Sequence, residues 1–109
     1  GLLTPGQTSG VDPVALPTMT ALQGNHPNPF NPSTTISYEL ATSGHVRLEI
    51  FDASGRLVRT LVDESQGAGR REILWNGRDS GHRNLSSGMY LYRLQAGSQM
   101  QTKRMTLLK

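Results

Sequence analysis

Cysteine is absent from the 109 residues. That excludes disulfide staples, thiolate catalysis and thiolate metal sites, and it leaves the compartment open. Long apolar runs are absent too. None approaches the roughly 20 residues that a membrane-spanning helix needs, so membrane insertion is not expected. Aromatic residues make up 6% and hydrophobic residues 35% of the chain, which is lean but unlike a disordered polymer. A chain of this length buries roughly 60–65% of its unfolded surface, enough for one modest core. One domain is therefore the expectation.

Charge is nearly missing from one end. The net charge is +3, yet before Glu39 the only Asp, Glu, Lys or Arg is Asp12. All six prolines lie in residues 1–32. Proline fixes φ and biases the preceding residue to extended conformations. Residues 1–24 thus read as an extended Pro/Thr/Gly-rich arm or linker. Its apolar residues Leu2, Leu3, Val11, Val14, Leu16, Met19 and Leu22 are expected to pack on a surface, of this domain or of a neighbouring copy. The chain opens Gly1-Leu2-Leu3-Thr4 without a basic or apolar leader, as expected where a leader was removed or the chain trimmed. The stretch "HPNPFNPSTTISYEL" follows the arm. Pro27, Asn28, Pro29, Phe30 and Pro32 form an expected rigid hinge in front of the first strand. Proline cannot donate into a ladder, so it marks where pairing starts. Asn28 and Asn31 are suited to Asx turns, and Phe30 to plugging one end of the core.

What is present after the hinge is alternation. Ile36, Tyr38 and Leu40 alternate with polar residues, as do Val46, Leu48 and Ile50. Asp52-Ala53-Ser54-Gly55 reads as a type I turn with Gly55 left-handed, leading into a strand over Leu57–Val62. Residues 65–69 read as a loop, and Ile73 and Trp75 as the end of another strand. Residues 77–88 form a long polar loop. Tyr90, Tyr92 and Leu94 alternate again, and a turn at Ala96-Gly97-Ser98 leads into the last strand, Met100–Leu108. Turn signals every 8–12 residues without helical periodicity predict an all-β antiparallel sandwich of about 6–7 strands over residues 25–109.

Catalytic and cofactor constellations are missing. His26, His45 and His82 stand on different elements without metal-ligand spacing, so no metal is expected. No Gly-x-Ser-x-Gly elbow occurs, and "GAG" at 67–69 lacks the Gly-Lys-Ser/Thr of a phosphate loop. Asp52, Asp63, Glu64 and Asp79 do not form an EF-hand ladder. An enzyme is not expected, nor a cofactor. Arg70, Arg71, Arg78, Arg83, Arg93, Lys103 and Arg104 bias the fold basic. They read as solvated strand faces with links to Glu49, Glu72 and Asp79, or as contacts to an anionic surface such as lipopolysaccharide. No aromatic-interleaved basic platform is present, so nucleic acid is not a predicted partner. Trp75, Tyr38, Tyr90 and Tyr92 read as core residues.

Together, "NHPNPFNPSTTISYEL", "GHVRLEIFDASGRLVRTLV", "GAGRREILWNGRDSGHRNLSSGMYLYRLQAG" and "KRMTLLK" resemble two related bacterial families. One is the Ig-like domain of flagellar hook-capping proteins, over about residues 44–97. The other is the type A C-terminal sorting domain of the type IX (Por) secretion system, over about residues 25–109. The markers are Pro27-Asn28-Pro29, Gly44-x-Val46, Asp52-x-x-Gly55-Arg56, Gly88-x-Tyr90 and a terminal strand closing on a basic residue. The resemblance implies an Ig-like sandwich. It also implies a non-catalytic sorting and surface-anchoring module of a bacterial secreted protein, read by the outer-membrane translocon and located at the cell surface or outside the cell. The implied partners are that translocon or surface lipopolysaccharide. The implied recognition strand carries Thr102, Lys103, Arg104, Met105, Leu107, Leu108 and Lys109. The alternative is a structural subunit of an extracellular filament or surface assembly, whose partners are copies of itself and whose arm inserts into a neighbour's sheet edge.

Overall fold

The computed structural model describes residues 19–109. Seven strands follow in chain order: β1 (Ala21–His26), β2 (Thr34–Leu40), β3 (Gly44–Asp52), β4 (Leu57–Gln66), β5 (Gly69–Trp75), β6 (Gly88–Ala96) and β7 (Gln99–Leu107). They form a three-stranded sheet in the order β1-β2-β5 and a four-stranded sheet in the order β4-β3-β6-β7. Every strand pair is antiparallel, and no helix occurs among the described residues. The architecture is the Ig-like β-sandwich that the alternation and the resemblance predict.

The alternating residues face inward as a period of two requires. Ile36, Tyr38 and Leu40 of β2 meet Val46, Leu48 and Ile50 of β3 and Tyr90, Tyr92 and Leu94 of β6 in one buried core. The turn after β3 closes as expected. The Gly55 amide donates to the Asp52 carbonyl at 2.9 Å, and Gly55 sits at φ 90°. Asn76-Gly77 turns the chain out of β5 with Gly77 at φ 74°. A Cβ there would lie 2.8 Å from the Pro32 carbonyl oxygen, so only glycine fits. The polar stretch after it forms no strand, only an isolated bridge between Arg78 and Asn84.

Three expectations are corrected. β1 was not foreseen: Ala21–His26 pairs with β2 through a bulge between Leu22 and Gly24, and the boundary drawn between residues 24 and 25 falls inside it. "ALQGNH" offers one buried apolar residue, Leu22, and so no alternation to read. The hinge of Pro27, Asn28, Pro29, Phe30 and Pro32 consequently links two paired strands and does not precede the first one. The last strand ends at Leu107, leaving Leu108 50% exposed. Of the expected arm contacts, Leu22 is in the core and Met19 is 72% exposed. Leu2, Leu3, Val11, Val14 and Leu16 lie outside the described residues.

Candidate functional site: the terminal strand and its strap

β7 is an edge strand, hydrogen-bonded only to β6 within its sheet. Its two ends are tied down by different devices. At the C-terminal end, the segment between β1 and β2 lies against it as a strap. The Phe30 amide donates to the Thr106 carbonyl at 2.9 Å, and the Leu108 amide donates to the Phe30 carbonyl at 2.8 Å. The Thr106 amide donates to Asn28 Oδ1 at 3.0 Å. Phe30 and Leu107 thereby form a parallel bridge. The Phe30 ring is 1% exposed and lies 5.6 Å from Trp75, which meets Tyr90 edge-on at 5.9 Å. Trp75 Nε1 donates to the Arg78 carbonyl at 3.0 Å, so the one polar atom of that ring is satisfied. The strap exists because Phe30 is the one large apolar residue among prolines and asparagines, and burial pulls it into the core.

At the other end, the Gln101 side chain spans the two sheets. Its Oε1 accepts from the Leu22 amide at 2.8 Å, and its Nε2 donates to the Thr20 carbonyl at 2.9 Å. Between these ties Thr102, Lys103 and Arg104 are exposed beside a groove of about 550 Å³, which Gly24, Asn25 and Tyr92 also line. Lys103 lies opposite the buried Tyr92 and so faces the gap between the sheets. Of the seven residues of the implied recognition strand, Met105 and Leu107 are core residues, while Leu108 and Lys109 project past the strap.

Tyr92 forms the floor of the groove. Its hydroxyl donates to Asn25 Oδ1 at 3.0 Å, and burial pushes its pKa from 10.0 up to about 12. The fold therefore favours the neutral phenol. That contribution is fully present below the unfolded value near 10 and is lost as pH rises through the folded value near 12. Urea midpoints are expected to fall steeply between those two pH values, and Tyr92→Phe to flatten the slope. An unchanged slope in Tyr92→Phe would place the alkaline transition elsewhere.

Two exposed carboxylates, Asp52 and Asp79, are held by turn hydrogen bonds. The Ser54 hydroxyl and the Arg56 amide hold the Asp52 carboxylate below its usual range. The Arg83 and Gly81 amides do the same for Asp79. Both carboxylates organise turns, and a depressed carboxylate is a poor general base. His45 Nε2 lies 2.6 Å from Asp63 Oδ1, with Arg47 Nε at 3.8 Å from the same oxygen. His26 and His82 are elsewhere, and no group of three potential ligands occurs among the described residues. Glu49 and Asp79 carry the expected links, to Arg93 and Arg83, whereas Glu72 carries none among the described residues. Trp75, Tyr38, Tyr90 and Tyr92 are all buried and present no sugar platform.

The strap was missed as a strap because it is a long-range contact. The sequence marks Phe30 as an isolated apolar residue, but nothing local says that it meets residues 106–108.

Comparison with known structures agrees on the fold. Latent dimeric PorU from Porphyromonas gingivalis superposes with a TM-score of 0.62 at 24% identity, over 77% of this chain and 9% of that one. PorZ of the same organism, a bacterial surface component of the type IX secretion system, gives 0.54 at 21% identity, over 78% of this chain and 11% of that one. FlgD from Xanthomonas campestris, described for hook capping in flagellar assembly, gives 0.57 at 19% identity, over 80% and 64%. The chain thus spans only a small part of the Por proteins and under two thirds of that FlgD. No curated protein matches the sequence. A family model, that of the FlgD Ig-like domain, matches residues 25–100, a wider span than the 44–97 expected for the hook-cap resemblance. The match covers most of the chain, and the chain belongs to the FlgD Ig-like domain family.

Proposed function

We propose that this sandwich is a non-catalytic sorting and surface-anchoring module of a bacterial secreted protein, read at the outer membrane by a secretion machinery. The observation that carries the reading is the division of labour along β7. Met105 and Leu107 fasten the strand into the core. Thr102, Lys103 and Arg104 stay exposed on a strand strapped by Phe30, and Leu108 and Lys109 stay exposed just beyond its end. A signal read by another protein needs such a rigid display of exposed side chains, because little entropy is then lost on recognition. The fold-level likeness to PorU and PorZ supports the same reading. The site of action is the cell surface or the extracellular space, and the partners are the translocon and anionic surface glycolipid.

Insertion of a neighbour's arm at the β7 edge has less support. The β7 edge is occupied at one end, bridged by Gln101 at the other, and carries the inward-facing Lys103 between them. Inward charges and covered ends are devices that oppose strand addition.

The test leaves the core intact. Deleting residues 103–109 would remove Met105 and Leu107 and unfold the module, so exposed positions are the better probe. A folded reporter is fused ahead of the full chain in a bacterium with a type IX system. The reporter should reach the surface, and Lys103→Glu with Lys109→Glu should leave it in the periplasm. A wild-type fusion that stays inside, or a variant that is exported equally well, would sink the proposal.

A further inference from the structure

The outer faces of the two sheets are complementary to each other. On the four-stranded sheet the register sets Leu57 opposite Phe51, Phe51 opposite Leu91, and Leu91 opposite Arg104. One row across four strands therefore reads Leu57, Phe51, Leu91, Arg104. The Arg93 guanidinium stacks 4.6 Å above the Phe51 ring, which places this row on the outer side with Arg93. Phe51, Leu91, Arg93 and Thr102 line a shallow apolar groove of about 250 Å³. Three of the cations on and around this face have acids: Arg93 holds Glu49 at 3.0 Å, Arg47 lies 3.8 Å from Asp63, and Arg56 lies 3.4 Å from Asp52. Arg104 has no acid among the described residues.

The three-stranded sheet presents the converse. Leu74 stands 67% exposed on the outer side of β5. Glu72 is two residues along the same strand and so on the same face, roughly 6.8 Å away. Register puts Glu39 opposite Arg70 and Glu72 opposite Ser37, so this face sets two acids, Glu39 and Glu72, against one cation, Arg70. Glu72 has no cation among the described residues. One face thus offers an apolar knob beside a surplus carboxylate. The other offers an apolar groove with a surplus guanidinium one strand spacing away, roughly 4.8 Å.

We infer that the outer face of the four-stranded sheet docks the outer face of the three-stranded sheet of a second copy, Leu74 entering the groove at Phe51 and Leu91 and Glu72 meeting Arg104. Packing the four-stranded face on its own copy would leave Arg104 without an acid, so the occupant is the opposite face. Exposed apolar patches rimmed by charge mark such contact sites. The contact is heterologous: each copy keeps one face open, and addition continues as a stack. This inference shares Thr102 and Arg104 with the displayed residues of the sorting reading, but its readout is self-association, whereas the export test changes Lys103 and Lys109.

The experiment is sedimentation velocity on the full chain over a concentration series. The sedimentation coefficient should rise with concentration and fall back at high salt, which screens the Glu72–Arg104 pair. Arg104→Glu, Glu72→Arg and Leu74→Ser each alter an exposed side chain, and circular dichroism should confirm that all three fold. Each should lose the heavy species. Arg104→Glu combined with Glu72→Arg should restore them, because the swapped charges again match. A chain that stays monomeric at every concentration overturns the inference, as does association that survives Arg104→Glu or a double variant that fails to recover.

Discussion

Phe30→Ala is expected to destabilise the chain by about 3–5 kcal/mol, the range for truncating a buried aromatic residue. A domain of this size holds about 5–15 kcal/mol in total, so the variant should sit near the edge of folding. The ring is 1% exposed and touches Trp75, and no other large apolar side chain lies between Pro27 and Ser33 to take its place. The change also has a local signature. Without the ring, the strap loses its anchor while its backbone groups remain. The Thr106 and Leu108 amides, which donate to Asn28 and Phe30, should then exchange with solvent far faster than the amides of β3. Urea denaturation gives the first quantity and hydrogen exchange the second. An unchanged midpoint with unchanged protection at those two amides would show that Phe30 does not hold β7.

Trp75→Ala should cost as much, again about 3–5 kcal/mol. Trp75 is the single tryptophan, 1% exposed, with Phe30 on one side and Tyr90 on the other. It closes the end of the core where the strap, β5 and β6 converge. Trp75→Phe separates the ring from its N–H. The lost donor leaves the Arg78 carbonyl with the Arg59 Nη1 contact at 3.2 Å, so that variant should cost only about 1–2 kcal/mol beyond the volume change. Because Phe30 and Trp75 touch, the double alanine variant should be less destabilised than the sum of the singles, by about 0.5–3 kcal/mol. Thermal unfolding followed by circular dichroism measures all of these. Additive losses would mean that the two rings do not act as one cluster.

Both variants act on one end of the sandwich, and that end organises the terminal strand. The same geometry ties the strand of the proposed sorting role to the stability of the fold. Met105 and Leu107 serve the core, and the exposed residues beside them inherit its rigidity. Substitutions at Lys103 or Lys109 should spare stability, whereas substitutions at Met105 or Leu107 should destroy display and fold together.

Much of the architecture was legible in the chain because a period of two is a local signal. Alternation at 36–40, 46–50 and 90–94 is set by neighbours two residues apart, and burial follows it except at Glu49, which is buried against Arg93. The turn at Asp52–Gly55 is also local, since a short side chain bonds its own backbone and glycine accepts a positive φ. The absence of cysteine is likewise local, and it excludes disulfides and thiolate chemistry whatever the fold. What only the tertiary structure decided is what depends on distant partners. β1 becomes a strand because β2 pairs with it, although its own sequence shows one buried apolar residue. The proline segment becomes a strap because Phe30 finds the cavity beside Trp75 and its backbone finds Thr106 and Leu108, more than 70 residues away. Arg104 and Glu72 become the unmatched charges of two opposed faces only once register sets Glu39 across from Arg70 and ion pairs hold Arg93, Arg47 and Arg56. Strand periodicity is written in nearest neighbours; pairing, strapping and charge balance are written in contacts that only the folded chain brings together.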